Sequence, residues 1–159
     1  IGGIDLEVPY DIYDPEYPDH NYGYDPFYIT AGLHHLDGAT ALKYARTRHG
    51  SSDYDRARRQ QQVMFAIRDR VLSLDMMPTL AQRAPALYAA LSDSIQTNMS
   101  LEQMIALGWS AQEVPRENIR TGVIDNNYVT GYLTEQGASV LIPNREKIGP
   151  LLASVFWLE

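Results

Sequence analysis

Residues 51–74, SSDYDRARRQQQVMFAIRDRVLSL, place the strongest constraint on the fold. At about 100° per residue, Val63, Ile67 and Leu74 fall on one stripe of a helix, with Val71 at its flank. Ser52 or Asp53 supplies an N-cap oxygen, so the spacing predicts one long helix running to about Leu74. Arg56 and Gln60 continue the stripe toward the N-terminus, with Arg59 at its other flank. An apolar seam must bury against a second layer, and a cation or amide on that seam is costly unless it meets an ion partner or a polar cavity. The helix therefore calls for a layered domain with a polar cavity where the helix begins. Arg58, Gln61, Gln62 and Asp69 project away from the stripe and are expected in solvent.

The chain alternates around this helix. IGGIDLEVPY reads as an apolar strand, and residues 9–32 as a Pro-, Asp- and Tyr-rich excursion over the surface. Asp37 caps a short helix to about Tyr44, with His34 and His35 leading into it, and Arg46–Arg48 leaves helical conformation. A third helix is expected after Pro78, with Leu80, Ala84, Leu87 and Leu91 at helical spacing. A fourth lies over TNMSLEQMIALGW, where Ser100 and Gln103 fit a capping box. NIRTGVID and ASVLIPN read as strands, and Asn144 as the cap of a last helix to about Phe156. Interleaved strands and helices indicate an α/β or α+β layered domain. With 159 residues, 45% of them hydrophobic, the chain has the material for one core. It divides into a strand and excursion (1–35), an arginine segment with the long helix (36–75), and helices with terminal strands (76–159).

Charge is segregated. Eight acids and no Lys or Arg precede position 43; then Lys43, Arg46, Arg48, Arg56, Arg58 and Arg59 follow within seventeen residues, against Asp53 and Asp55. The net charge is −7 and the sequence pI about 5.0, which argues against general nucleic-acid binding and against a helix-turn-helix reader built on residues 54–73. Arg46 and Arg48, two apart in a non-helical segment, project to one side, and the N-terminus of the long helix favours an anion at the same place. Converging guanidinium forks suit a pyrophosphate better than a single carboxylate. A salt-bridge cluster with Asp53 and Asp55 is the competing reading of the same residues. The four histidines show no metal-ligand spacing, and the acidic segment 11–25 does not follow a calcium loop. Its tyrosines, with Tyr10 and Tyr28 beside them, read as staples for the excursion rather than as a sugar-stacking surface. Cysteine is absent, as are a phosphate-binding P-loop and a nucleophile elbow.

GGIDLEVP, ITAGLHHLDGATALKYARTR and SDYDRARRQQQV resemble the LytR–CpsA–Psr family of cell-envelope proteins. The family pattern runs GGI-D-V, then G-x-x-x-L-x-G-x-x-A-L-x-Y-x-R-x-R, then D-x-x-R-x-x-R-Q. TNMSLEQMIAL is similar to the next helix of the family, so the resemblance covers residues 2–107. It implies an α/β/α layered sandwich with a mixed sheet. It also implies a phosphotransferase at the outer face of the cytoplasmic membrane, anchored there through an N-terminal segment. Such enzymes move a glycopolymer, for example one of teichoic-acid type, from a polyprenyl-pyrophosphate carrier to peptidoglycan with the help of Mg²⁺. A non-catalytic polyprenyl-phosphate or anion-binding module of the cell envelope is the alternative. An older label, transcriptional attenuator, does not fit this chemistry.

By match to the family motifs, Arg46 and Arg48 would clamp the pyrophosphate, and Arg56 and Gln60 would line its pocket. Asp53 would orient the arginines and Arg59 support them, while Val63 and Ile67 would face a lipid tunnel between helices and sheet. In the family GGI-D-V lies about halfway through the domain. The resemblance therefore implies that this chain is the C-terminal half to two-thirds of it. The acidic residues for Mg²⁺, and a further arginine, are expected ahead of Ile1. Asp55 stands where the family often has glycine, and is expected to add negative charge near the clamp.

Overall fold

The computed structural model describes residues 1–48, 50, 52–73, 77–92 and 97–156, with backbone alone at 77–81, 87, 91 and 92. Leu74, His49 and the side chains of Leu80, Leu87 and Leu91 lie outside what is described. The chain forms two compact units, Ile1–Gln112 and Glu113–Glu159.

In the first unit, β1 (Ile4–Val8) alternates inward Ile4, Leu6 and Val8 with outward Asp5 and Glu7. This is the period-2 pattern of a strand with one wet face. It pairs antiparallel with β4 (Gly32–Leu36), Ile4 opposite Leu36 and Asp5 opposite His35. The histidines expected to lead into a helix thus lie on a strand. The outward positions of β1 and β4 face each other across the ladder, and the His35 ring meets Asp5 Oδ1 at 2.7 Å. The hydrogen bond to Asp5 is the main cause holding the imidazole above its usual pKa, helped by the carbonyl of Gly2.

The excursion is more built than its sequence suggests. Within it β2 (Ile12–Asp14) and β3 (Phe27–Ile29) form an antiparallel ladder that buries Ile12, Phe27 and Ile29, with Tyr17 packed against Phe27. Tyr17 is the staple; Tyr10, Tyr13, Tyr22, Tyr24 and Tyr28 are exposed, because they occupy outward positions or the turn. Tyr22 has a positive φ of 61°, and Asp19 Oδ1 accepts from the amides of Asn21 and Gly23, each at 2.7 Å, to close the turn around it.

Asp37 caps α1 (Gly38–Arg46), accepting from the Thr40 amide at 2.8 Å. Ser52 caps α2 (Asp53–Val71) through a full capping box with Asp55. α2 packs on β1 and on α1, burying Val63 against the core of Ile4, Leu36, Ala41 and Tyr44. Further along are α3 (Met77–Ser92), which contains Pro78 rather than following it, and α4 (Leu101–Gln112). The predicted capping box of α4 is present: the Ser100 amide donates to Gln103 Oε1 at 2.8 Å and the Gln103 amide to Ser100 Oγ at 3.2 Å.

The second unit has β5 (Val129–Leu133) paired antiparallel with β6 (Ser139–Pro143), followed by α5 (Arg145–Phe156) capped by Asn144. β6 falls where ASVLIPN predicts it, but NIRTGVID forms no ladder among the described residues; the partner is 129–133. Residues 119–125 run along α5 instead. Arg120 Nη1 donates to Ser154 O at 3.0 Å, and Gly122 approaches so closely that a Cβ there would meet Leu151 at 3.0 Å. The fold is mixed α/β, as expected. Its described strands pair as three two-stranded antiparallel ladders.

Candidate functional site

Where α1 gives way to α2, the chain at Thr47 adopts an extended conformation, φ −52° and ψ 140°. Adjacent side chains in such a segment point to opposite sides. Thr47 is accordingly buried, 1% exposed, while Arg46 and Arg48 are exposed. Together with Arg56 and Gln60 from the first turns of α2, they line one cleft of about 590 Å³, closed on its other side by Asp14, Glu16, Tyr17 and Pro18 of the excursion. The polar residues that continue the apolar stripe therefore meet a polar cavity.

The electrostatics are unevenly satisfied. Asp53 sits between two arginines, its Oδ1 3.0 Å from Arg48 Nη2 and 3.3 Å from Arg56 Nη1. Asp55 instead accepts from the Ser52 hydroxyl, at 2.7 Å, and amide and pairs with Arg58 at 3.1 Å. The hydroxyl of Ser52 is the main cause that lowers its carboxyl pKa. Asp55 is not among the residues lining the cleft, so its charge is directed to the helix cap and Arg58.

Arg59, placed at the flank of the stripe by its spacing, is the cation that enters the interior, at 2% exposure. Its Nε donates to Tyr44 O at 3.0 Å and its Nη2 to Thr47 O. Val63 is buried and Gln60 exposed, so the core-facing line is rotated toward Arg59 relative to the predicted stripe. That rotation also corrects Gln62, expected in solvent: its Oε1 accepts the hydroxyl of the fully buried Tyr44 at 2.7 Å. Arg58 and Asp69 are exposed as expected.

Two residues of the site, Thr47 and Asp14, carry no obvious signal in the sequence. Asp14, 5% exposed, accepts the Thr47 hydroxyl at 2.5 Å and the Glu16 amide at 3.2 Å. Asp14 reads as one more acid of an acidic excursion, and only its place opposite Phe27 in the inward register of β2 could have marked it.

Further along α2, Val63 and Ile67 line an apolar groove of about 370 Å³ with Ile4, Leu36, Ala41 and Ala45. Its walls come from β1, β4, α1 and α2, so it lies between helices and sheet. One stripe of one helix thus passes from a cation-lined cleft at Arg56 and Gln60 to an apolar groove at Val63 and Ile67. Among the described residues, no group of three or more His, Asp or Glu side chains is placed to hold a metal ion.

The LytR_cpsA_psr family model matches residues 1–154. Among characterised relatives, the polyisoprenyl-teichoic acid--peptidoglycan teichoic acid transferase TagV of Bacillus subtilis is 31% identical over 112 residues, 67% of this chain and 26% of the relative. TagT of the same organism is 37% identical over 79 residues, 50% of this chain and 23% of the relative. The crystal structure of B. subtilis TagV superposes with a TM-score of 0.64 at 27% identity, over 99% of this chain and 58% of that one. The crystal structure of B. subtilis TagU, at 18% identity and a TM-score of 0.56 over 98% of this chain and 56% of that one, shares the fold. The chain spans about a quarter of the length of the relatives it matches by sequence.

Proposed function

The chain belongs to the LytR–CpsA–Psr family, and from that premise we propose that it forms the pyrophosphate- and lipid-binding part of a phosphotransferase that moves a glycopolymer from a polyprenyl-pyrophosphate carrier to peptidoglycan. The observation that carries the proposal is the succession along α2 of a cleft lined by three arginines and an apolar groove. A lipid pyrophosphate has the same order of chemistry, an anionic head and an apolar tail. The relatives that act on polyisoprenyl-linked teichoic acid, by their names, support the same substrate class.

In this reading Arg46 and Arg48 clamp the two phosphoryl groups, and Arg56 and Gln60 bind the same head from α2. Asp53 aims Arg48 and Arg56 by accepting from both. Arg59 holds the backbone that carries Arg46 and Arg48. Val63 and Ile67 receive the first isoprene units. An acceptor hydroxyl attacks the phosphorus that bears the glycan and forms a new P–O bond to it as the bridging P–O bond breaks, and the hydroxyl proton leaves with the released polyprenyl phosphate. Preorganised guanidinium groups favour this step because charge gathers on the phosphoryl oxygens in the transition state. Mg²⁺ enters only through the family. Among the described residues no group of three or more His, Asp or Glu side chains is placed to hold it, and no step here is routed through a metal. The proposed location is the outer face of the cytoplasmic membrane. No described helix is long and apolar enough to cross a membrane, so the anchor is sought outside the described residues.

Release of polyprenyl phosphate by the protein in its complete form tests the proposal. Arg48→Ala is expected to lower turnover by about 10–100-fold, the worth of one charge-assisted, bidentate contact. Unchanged activity would remove Arg48 from the clamp. Tight binding of the lipid without turnover in the unmutated protein would mark a binding module instead.

A further inference from the structure

We infer that Thr47 and Asp14 form an anchor that fixes the spacing of Arg46 and Arg48, and that this spacing lets the cleft distinguish a diphosphate from a monophosphate. The inference rests on the diphosphate reading of the cleft.

Every polar group of Thr47 is engaged, and by three different elements. Its amide donates to Lys43 O of α1 at 2.9 Å, its carbonyl accepts from Arg59 of α2, and its hydroxyl donates to Asp14 of β2 at 2.5 Å. The residue therefore lies between a buried cation and a buried anion, with its carbonyl toward the first and its hydroxyl toward the second. Filling the space needs no hydroxyl, since valine has nearly the same shape. A carboxylate that is 5% exposed is costly to keep there unless its oxygens are used. Both Asp14 oxygens are used, one by Thr47 and one by the Glu16 amide, so the excursion is tied to the arginine segment at Thr47 as well as through the Asp25–Lys43 ion pair.

The consequence for the arginines is geometric. Arg46 closes α1 and Arg48 follows the extended Thr47, so the φ and ψ of Thr47 set the separation of their Cα atoms, about 6–7 Å across one extended residue. With Thr47 locked, Arg46 and Arg48 must rise from the backbone at that separation, wide enough for their forks to take two linked phosphoryl groups rather than crowd onto one. Arg48 has a second determinant of its position in Asp53. Arg46 lines the cleft without an ion pair to any other described residue, so its aim rests on its backbone, held by the last turn of α1 on one side and by Thr47 on the other. Thr47 and Asp14 are positioning residues: they act on the ligand through the two arginines.

The test is the affinity of the chain for geranyl diphosphate and for geranyl monophosphate, measured by calorimetry on the unmutated protein, Thr47→Val and Thr47→Ser. Thr47→Val is expected to weaken diphosphate binding by about 10-fold while changing monophosphate binding by less than about 2-fold, because one charge-assisted contact is misaimed. Thr47→Ser, which keeps the hydroxyl, is expected to restore the ratio. A merely structural role would lower both affinities together. If thermal unfolding shows that Thr47→Val does not fold, Asp14→Asn gives the reading: a reduced diphosphate preference supports the anchor, and an unchanged one overturns it. A preference that survives Thr47→Val in a folded protein overturns the anchor and leaves the diphosphate reading intact. No preference in the unmutated protein would overturn both.

Discussion

The two halves of α2 share one helix and one stripe, yet they solve opposite problems. In the first half, cations are kept facing a cleft, so the sequence supplies Asp53 to aim Arg48 and Arg56 by accepting from both, and sends Asp55 to the helix cap. In the second half, Val63 and Ile67 line a groove whose walls offer little but aliphatic carbon. Arg59 lies at the seam. It is buried like the apolar half and charged like the polar half, and it spends its charge on two backbone carbonyls rather than on a ligand. The difference teaches that a basic cluster is not one feature. Arg46 and Arg56 face the cleft, Arg58 is committed to the helix surface, and Arg59 belongs to the frame.

The largest expected effect falls on that frame. Arg59→Ala leaves the carbonyls of Tyr44 and Thr47 without their donor and opens a cavity, and is expected to destabilise the protein by about 3 kcal/mol or more in denaturant unfolding. Loss of diphosphate binding without loss of stability would instead place Arg59 with the ligand-facing cations.

Next comes the Tyr44 phenol, which joins the two helices through Gln62. Burial pushes its pKa up to about 12, with the charge of Arg59 only partly opposing the shift. A group whose pKa is higher folded than unfolded contributes stability that is complete below its unfolded value, near 10, and is lost as pH rises toward the folded value. Unfolding between about pH 10 and 12 is expected to show a loss on the order of 2–3 kcal/mol, absent in Tyr44→Phe. The same pH dependence in both proteins would assign the loss to other groups.

Much of this was legible in the sequence. The cap residues Asp37, Ser52, Ser100 and Asn144 each sit where an N-cap oxygen is needed, because capping is a local matter of one side chain and the amide three residues on. The long helix was equally clear, whereas for the basic cluster the sequence left two readings open, and the structure holds features of both: Arg46, Arg48, Arg56 and Gln60 line one cavity, and Asp53 and Asp55 pair with Arg48, Arg56 and Arg58. The strand at 32–36 was hidden because GLHHL runs directly into a helix, and only its pairing with β1 decides its conformation. NIRTGVID has a strand's composition but uses Gly122 to approach α5, a contact that no local pattern reveals. Thr47 and Asp14 were invisible for a similar reason. Their meaning lies in a bond across 33 residues, and each alone is an ordinary residue of its segment.

The smallest effect is the most direct test of the claim that cleft and groove serve one ligand. Binding of inorganic pyrophosphate, geranyl diphosphate and farnesyl diphosphate would be compared in the unmutated chain and in Ile67→Glu. Affinity is expected to rise by about 3–10-fold with each added isoprene unit, the share of its apolar area that the groove buries. Ile67→Glu is expected to flatten that rise while leaving inorganic pyrophosphate within about 2-fold, because Ile67 lies in the apolar half of α2 and not in the cleft. An affinity independent of chain length in the unmutated chain would contradict the account, and would leave the arginine cleft as an anion site with no lipid to hold.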